Sequence, residues 1–183
     1  MAANLAATAA NLEDPSAARG LFRQVMGRFA TGVTVITTSL SGEVFGMTAN
    51  AFMAGSLEPM LCVVSINRTA KMHERLCESG HYGVSFLSQE QRHLSAHFAG
   101  QRVGHVDPEF CFRGRTPVVR HAVAAVTAEI LDTVACGDHT LFVGRIASLE
   151  AAAARRPLLF YAGRYARMDL LSPIEEVEPP AFW

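Results

Sequence analysis

The sequence predicts a mainly β protein in which antiparallel strands close into a barrel, with a few peripheral helices. Segments rich in β-branched and aromatic residues outnumber helix-like segments by roughly two to one. Short turns that contain glycine link most of these segments, which is typical of hairpins. No strand is followed by the glycine pattern of a dinucleotide-binding α/β sheet. These three observations favour an antiparallel barrel over a parallel α/β sheet.

The composition indicates one globular domain. The chain has 183 residues, of which 50% are hydrophobic and 18% are charged. The formal net charge is −1 and no long basic run occurs, so we do not expect nucleic acid as a partner. No segment reaches the roughly 20 apolar residues of a membrane span, so we expect no membrane partner. The positive mean hydropathy of +0.19 suggests an additional buried surface, such as an oligomer interface.

The four cysteines are scattered, without the paired spacing of a zinc site. We therefore expect reduced thiols, no metal and a cytoplasmic protein. The chain is predicted to divide into three parts. Residues 1–16 would be a flexible N-terminal arm, residues 17–170 the folded domain, and residues 171–183 a Pro-rich acidic tail.

The first part of the domain is predicted to be a helix followed by a hairpin. Residues 17–30 place Leu21, Val25 and Phe29 on one helical face, with Ser16 available as the N-cap. We expect this amphipathic helix to pack on a sheet. The strands that follow are predicted at residues 33–39 and from residue 44 onward.

The middle of the chain is predicted to alternate between strands and helices. A continuous apolar run at residues 60–66 indicates a central strand. A helix is predicted at residues 69–79 with Thr69 as its N-cap, followed by a strand at residues 81–87. Residues 88–91, Ser-Gln-Glu-Gln, fit a capping box at the start of another helix.

That next helix carries His93 and His97, whose spacing could chelate a metal ion. Neither the catalytic glutamate of a metalloprotease motif nor a third ligand is evident, so surface histidines are the preferred interpretation. Residues 101–120 are predicted to form a long loop, with a short strand at residues 110–112, that could cover a site. The remaining strands are predicted at residues 122–134, 139–149 and 157–168.

The segment at residues 44–71 has the pattern of an anion-binding site. A polar turn, Asn67-Arg68-Thr69, lies between a buried strand and a helix N-terminus, where free N–H groups and the helix dipole favour a phosphate. A P-loop is excluded, because Val33-Thr34 follows Gly32 and Val33 stands where that motif needs its lysine. A phosphorylated cofactor would therefore need a different architecture.

Four stretches in order resemble one known family, the short-chain NAD(P)H:flavin reductases that serve two-component flavin-dependent monooxygenases. The resemblance covers about residues 21–168. The stretches are FATGVTVITT (29–38), GMTANAF with SLEP (46–59), the strand and turn ending in SINRTAK, and GDHTLFVG (137–144) with the later PLLFYAGRYARM.

The resemblance implies an FMN-binding split barrel of six antiparallel strands that forms a homodimer. In this family NADH or NADPH reduces a bound FMN or FAD, and the reduced flavin passes to a partner monooxygenase. Hydride transfer requires the two rings to stack at about 3–3.5 Å, so small residues must back one face of the flavin. Gly46 and Ala49 suit that close approach, and Thr48 and Asn50 could donate hydrogen bonds to the ring edge.

The resemblance also implies a role for each matched residue. Those along the isoalloxazine ring would be Gly46, Met47, Thr48, Ala49 and Asn50. Those at the ribityl and phosphate groups would be Ser65, Ile66, Asn67, Arg68, Thr69 and Lys71. Ser85 and Phe98 would close the flavin site. The catalytic His139 would face the nicotinamide together with Tyr161, Arg164 and Tyr165.

Two alternative functions remain open at the level of sequence. The chain could be a flavin-binding module that stores or senses flavin without turnover. It could also be an enzyme similar to pyridoxamine-phosphate oxidase, built on a related barrel, in which a small amine reduces a retained flavin. Without the family pattern, the polar residues on the predicted strands would be ordinary exposed positions, and the tyrosines could be core or interface aromatics.

Overall fold

The computed structural model describes residues 14–152 and 155–168. The helices are α1 (Pro15–Met26), α2 (Lys71–Ser79) and α3 (Arg92–Phe98). The first six strands are β1 (Thr31–Gly32), β2 (Thr34–Leu40), β3 (Glu43–Ala49), β4 (Phe52–Leu57), β5 (Met60–Asn67) and β6 (His81–Phe86). The last six are β7 (Phe110–Arg113), β8 (Thr116–Val119), β9 (Ala124–Cys136), β10 (His139–Ala151), β11 (Leu159–Tyr161) and β12 (Arg164–Ala166).

Seven strands form one antiparallel sheet in the order β3-β2-β6-β9-β10-β5-β4. The two edge strands, β3 and β4, are consecutive in the chain and are joined by only two residues, Asn50 and Ala51. The sheet must therefore curl until its edges meet at this connection. At this connection the Ser65 N–H group donates to the Ala51 carbonyl at 3.1 Å, which extends the pairing of β4 with β5 by one residue. The predicted mainly β, antiparallel split barrel is confirmed, with seven strands in the main sheet where six were expected.

Two hydrophobic clusters fill the fold. The larger cluster lies inside the curled sheet and includes the fully buried Ile36, Ile66, Tyr82 and Phe142, with Leu76 contributed by α2. The smaller cluster joins β2 to α3 and to the residue before β11, and its buried members are Val33, Val35, Leu87, Leu94, Val119 and Leu158. Helices α2 and α3 are thus held by apolar side chains directed into the two clusters.

Helix α1 differs from the prediction. Asp14, rather than Ser16, is its N-cap, and the carboxylate accepts from the Ser16 N–H at 2.9 Å. No residue of α1 is buried, although an amphipathic helix packed on a sheet was expected. Phe22, Val25 and Phe29 on and just after the helix are 67%, 56% and 73% exposed. The periodic apolar pattern is present, but none of the residues that the structure describes covers it.

Several other boundaries also differ. Helix α2 begins at Lys71 after an Ala70 N-cap, because Thr69 belongs to the preceding turn. The predicted capping box is present, and Gln91 Oε1 accepts from the Ser88 N–H at 3.1 Å, but it opens a 3₁₀ turn before α3. The predicted last strand is divided into the β11–β12 hairpin, because Ala162 and Gly163 turn the chain with positive φ. The strands β4 and β8 were not predicted.

The parts of the chain predicted as arm and tail fall almost entirely outside the described residues, apart from residues 14–16, which begin α1. All four cysteines are free. Among the described residues, no helix is both long enough and apolar enough to cross a membrane.

Gly144 of β10 provides a test of the packing inside the barrel. A Cβ atom at this position would lie 2.7 Å from the Cβ of Ala128 and would also overlap the Tyr82 hydroxyl. Both neighbours are fully enclosed, so Gly144→Ala should lower the free energy of unfolding by about 1–3 kcal/mol. Urea denaturation followed by circular dichroism would measure the loss. Gly104→Ala, where a Cβ meets no atom within 4 Å, is the matched control and should be close to neutral.

Candidate functional site

The turn after β5 is held from both sides. The Asn67 side-chain oxygen accepts from the Thr69 N–H at 2.9 Å and from the Thr69 hydroxyl at 2.7 Å. The Arg68 N–H donates to the Asp138 carbonyl at 3.0 Å. These bonds fix the backbone of the turn and leave the Arg68 side chain exposed. The polar turn predicted from the sequence is therefore present, and these hydrogen bonds hold its backbone in one conformation.

The start of α2 adds further donors for an anion. Its N-cap, Ala70, has no side chain that could cap the first N–H groups of the helix. Lys71, the first residue of this nine-residue helix, is exposed beside Arg68 in the sequence. Uncapped N–H groups, the positive end of the helix dipole and two flexible cations form a donor set suited to a phosphate.

His139 lies next to this turn. It begins β10 and is the register partner of Asn67 on β5. Its Nδ1 lies 2.7 Å from Asp138 Oδ1, and Asp138 Oδ2 accepts from the Asn67 amide at 3.4 Å. The hydrogen bond from His139, with a weaker contribution from the charge of Arg68, holds the pKa of the Asp138 carboxyl below its usual value. An ionised Asp138 accepts a hydrogen bond from the Nδ1–H group of His139, so Nε2 is the nitrogen left for a ligand.

The other predicted group lies at the end of β3, where the barrel edges meet. The Thr48 hydroxyl donates to the Ser95 carbonyl of α3 at 2.7 Å, and the Asn50 amide donates to the Thr31 hydroxyl at 3.4 Å. The Ser95 hydroxyl is in turn 2.9 Å from the Tyr165 hydroxyl. A cavity of about 210 Å³ opens among these groups. Its wall brings together Thr48, Ala49 and Asn50, which the resemblance assigned to the ring, and Tyr165, which it assigned to the nicotinamide, with Ser95 and Gln101.

Ser65 connects the two groups. Its N–H is bound to Ala51, next to Asn50, and it lies two residues before Asn67 on the same face of β5. Two strand residues span about 7 Å. Asn50, Ser65 and Asn67 thus form a row of polar positions that runs from the β3–β4 connection, here called the barrel seam, to the turn after β5. A ring at the Asn50 end of this row and a phosphate at its Asn67 end could both be held, although the cavity beside Asn50 does not itself extend to the turn.

Four predicted residues are positioned differently from the expectation. Ile66 and Ser85 have fully buried side chains, Ile66 in the larger cluster and Ser85 as the acceptor for the Val119 N–H at 2.8 Å. Neither side chain can reach a ligand on the surface. Met47 packs against the larger cluster. Gly46 is covered by Phe98, since a Cβ on Gly46 would lie 2.5 Å from the Phe98 ring, so the ring and not open space occupies that face.

The aromatic hairpin and His139 belong to different sheets. Tyr161 and Arg164 pair across the β11–β12 turn, in a three-stranded sheet with β1. The Tyr161 hydroxyl lies 3.5 Å from the Arg28 guanidinium, and Arg164 is exposed. Of the three predicted hairpin residues, only Tyr165 lines the cavity beside Thr48.

Sequence reasoning missed Thr31, Ser95 and Asp138. Thr31 lies within the stretch FATGVTVITT but was given no role there, and Ser95 comes from a segment without a motif; both reach the site through tertiary contacts. Asp138 had a detectable signal, because it directly precedes His139 in a hairpin turn and an adjacent carboxylate often orients a histidine. The His93–His97 pair is not joined by a third potential metal ligand among the described residues. His93 Nδ1 contacts the Glu90 carbonyl, and no group of three potential metal ligands occurs in the part of the chain that the structure describes.

Taken with the fold, this geometry defines a class of protein: a split barrel with a donor set suited to a phosphorylated planar cofactor. The donor set fits such a group, because free helix N–H groups and two cations suit the phosphate and the amide and hydroxyl groups of the seam suit a heteroaromatic ring edge.

Comparison with known proteins identifies the family. Residues 26–169 match the flavin reductase like domain. An NADH-dependent flavin reductase of a Rhodococcus species is 38% identical over 86% of this chain and 91% of its own length. The reductase component of 4-hydroxyphenylacetate 3-monooxygenase from Thermus thermophilus is 35% identical over 80% of this chain and 95% of its own.

Solved structures agree with the sequence comparison. The flavin reductase PheA2 superposes with a TM-score of 0.80 at 48% identity, covering 82% of this chain and 97% of its own. The NADH:FAD oxidoreductase SgcE6 of Streptomyces globisporus, in complex with NAD and FAD fragments, gives a TM-score of 0.81 at 34% identity, covering 90% and 98%. The protein belongs to the flavin reductase like family, and the resemblance read from the sequence is confirmed.

Proposed function

We propose that the protein uses NADH or NADPH to reduce free FMN or FAD and supplies the reduced flavin to a partner monooxygenase in the cytoplasm. The observation that carries this proposal is the row of polar groups between Asn50 and the Asn67–Thr69 turn, with His139 at its far end. The named relatives are NADH-dependent flavin reductases and monooxygenase reductase components, so NADH is the expected reductant. Four free thiols suit a reducing compartment.

In this proposal the residues of the chain divide the work of binding and orientation. Arg68, Lys71 and the free N–H groups of α2 hold the phosphate. The flavin ring lies against the smaller cavity, where it contacts Thr48, Asn50 and Tyr165. Bound flavin supplies the hydride acceptor. His139, oriented by Asp138, presents Nε2 to the carboxamide of the nicotinamide and so positions the donor ring.

Flavin-dependent oxidation of NADH tests the activity itself. The purified protein should consume NADH only when FMN or FAD is added, and the flavin should dissociate after reduction. A tightly held yellow chromophore that NADH cannot bleach would favour the storage module. Amine-driven formation of peroxide on a retained flavin would favour the oxidase. No loss of NADH absorbance at saturating flavin would sink the proposal.

Arg68→Ala should weaken flavin binding by about tenfold, since a hydrogen bond to a charged group contributes about 1.5–3 kcal/mol and this side chain is partly solvated. Its effect on unfolding should stay within about 0.5 kcal/mol, because the exposed side chain supports no buried contact. Fluorescence titration with FMN would give the affinity. Arg145→Ala, which also removes an exposed arginine, is the control and should bind FMN as the wild type does.

His139→Ala should raise the NADH concentration needed for half-maximal rate by about two- to tenfold, the effect of one lost hydrogen bond of about 0.5–1.5 kcal/mol. The FMN concentration needed for half-maximal rate should change less, because the Asn67–Thr69 turn, here called the phosphate turn, keeps its own hydrogen bonds. Steady-state kinetics with each substrate varied in turn separate the two. His105→Ala, an exposed histidine of the long loop, serves as control. Equal increases for both substrates would show that the assignment of His139 to the nicotinamide is wrong.

We further propose that the protein acts as a homodimer, as the family resemblance in the sequence implied. The support is the uncovered apolar face of α1, formed by Phe22, Val25 and Met26, whose exposure ranges from 52% to 67%. Val25→Glu should shift the sedimentation coefficient from that of a dimer to that of a monomer. Val103→Glu, at an exposed apolar residue of the long loop, should not. A monomeric wild type at micromolar concentration would contradict the dimer.

A further inference from the structure

A second and larger cavity, of about 390 Å³, lies on the other side of Asn50 from the proposed ring site. Its walls are mostly apolar, and they include three phenylalanines, Phe29, Phe52 and Phe86. The polar groups on it are few and come from Thr31, Thr34 and Asn50. Asn50 is therefore shared by the two cavities, while the phosphate turn and His139 belong to neither.

The backbone around this larger cavity is rigid. The Val33 N–H donates to the Leu158 carbonyl at 3.1 Å, and the Leu158 N–H donates to the Leu87 carbonyl at 2.8 Å. The Leu87 N–H in turn donates to the Val33 carbonyl at 2.9 Å. This closed ring of hydrogen bonds ties three distant segments together. The cavity is thus preformed, as a binding site for an apolar group should be.

We propose that residues 169–183 of the same chain occupy this cavity and insert Phe182 and Trp183. These residues lie outside the described part of the chain. The segment DLLSPIEEVEPPAFW carries two adjacent aromatic residues, which match an aromatic-lined cavity better than they match solvent. Two prolines directly before Ala181 restrict the backbone and lower the entropy lost on binding.

The position of the described chain supports the proposal. The structure describes the chain as far as Met168, two residues after β12, and β12 lies in the same small sheet as β1. The β1 residues Thr31 and Gly32 line the larger cavity. Fifteen residues can span up to about 50 Å, so the segment reaches the cavity from β12 with length to spare.

Charge supports the same occupant. The segment contains Asp169, Glu175, Glu176 and Glu178 and no basic residue. Exposed arginines adjoin the larger cavity or the β11–β12 hairpin in the sequence, namely Arg28, Arg156, Arg164 and Arg167. Arg28 and Arg156 directly precede the cavity residues Phe29 and Pro157. Opposite charges flanking an apolar contact favour this segment over a neutral or basic peptide.

The consequence is competition at Asn50, and this part rests on the proposed role of Asn50 in flavin binding. When the segment fills the larger cavity, its side chains lie against Asn50 and restrict the amide that the ring would contact. The segment then acts as an internal competitor that lowers flavin affinity. A tail that occupies the cavity for half to nine-tenths of the time weakens apparent binding by about two- to tenfold.

The first experiment uses Trp183, the single tryptophan of the chain, in the full-length protein. Its emission should lie at shorter wavelength, and should be less quenched by acrylamide, than that of a synthetic peptide of residues 169–183. Combined Arg28→Glu and Arg156→Glu should move both readings to the peptide values. Arg102→Glu, in the long loop, is the charge-matched control and should leave them unchanged. Peptide-like emission from the wild type would overturn the proposal.

Dilution identifies the source of the docked segment. Emission that is independent of protein concentration supports docking within one chain, whereas a shift toward the peptide value on dilution assigns the cavity to the tail of a second copy and overturns the proposal as stated. The tryptophan readings need no flavin, so they stand even if the proposed activity fails.

A second measurement tests the competition. The double variant Phe182→Ala, Trp183→Ala should bind FMN about two- to tenfold more tightly than the wild type in a flavin fluorescence titration. Unchanged FMN affinity, together with a buried Trp183 in the wild type, would refute the competition at Asn50.

Discussion

The two-residue connection between β3 and β4 is the constraint on which this structure depends. Consecutive strands normally pair with each other, but here they lie at opposite edges of a seven-stranded sheet. Asn50 and Ala51 can bridge them only if the sheet curls until its edges meet. Burial of Ile36, Tyr82 and Phe142 inside the curl stabilises that shape, and Gly144 leaves room for Tyr82 at its centre.

The binding surface follows from this closure. A seam between two sheet edges exposes backbone and small polar side chains that a continuous sheet would engage in pairing. Asn50 lies at the seam, and Ser65 and Asn67 continue the line along β5. Helix α3 then covers β3 from the side through Thr48 and Ser95. Under the proposed function the protein needs no dedicated nucleotide-binding motif, because donors at the seam would serve the ring and the uncapped start of α2 would serve the phosphate.

Much of this could be predicted from the sequence, for reasons that are local. The strand 60–66, the polar turn after it and the hairpin at Gly137 are encoded by neighbouring residues. Ile66 and Ser85 were assigned to the site because position in a motif does not specify which face of a strand is buried, and the sheet turns both inward. The exposed face of α1, the cavity beside Phe52 and the partnership of Ser95 with Tyr165 depend on residues distant in sequence, so no local pattern indicates them.

The register between His139 and Asn67 has a consequence for the evolution of this site. The histidine and the phosphate turn are held by one pair of strands and share Asp138 as a common hydrogen-bond partner. A substitution that re-shapes the turn for a bulkier nucleotide therefore also displaces the histidine. Under the roles proposed for the turn and for His139, preference for one flavin and the fit of the reducing nucleotide would therefore change together. Laboratory selection for a new flavin would need compensating changes in the β9–β10 hairpin.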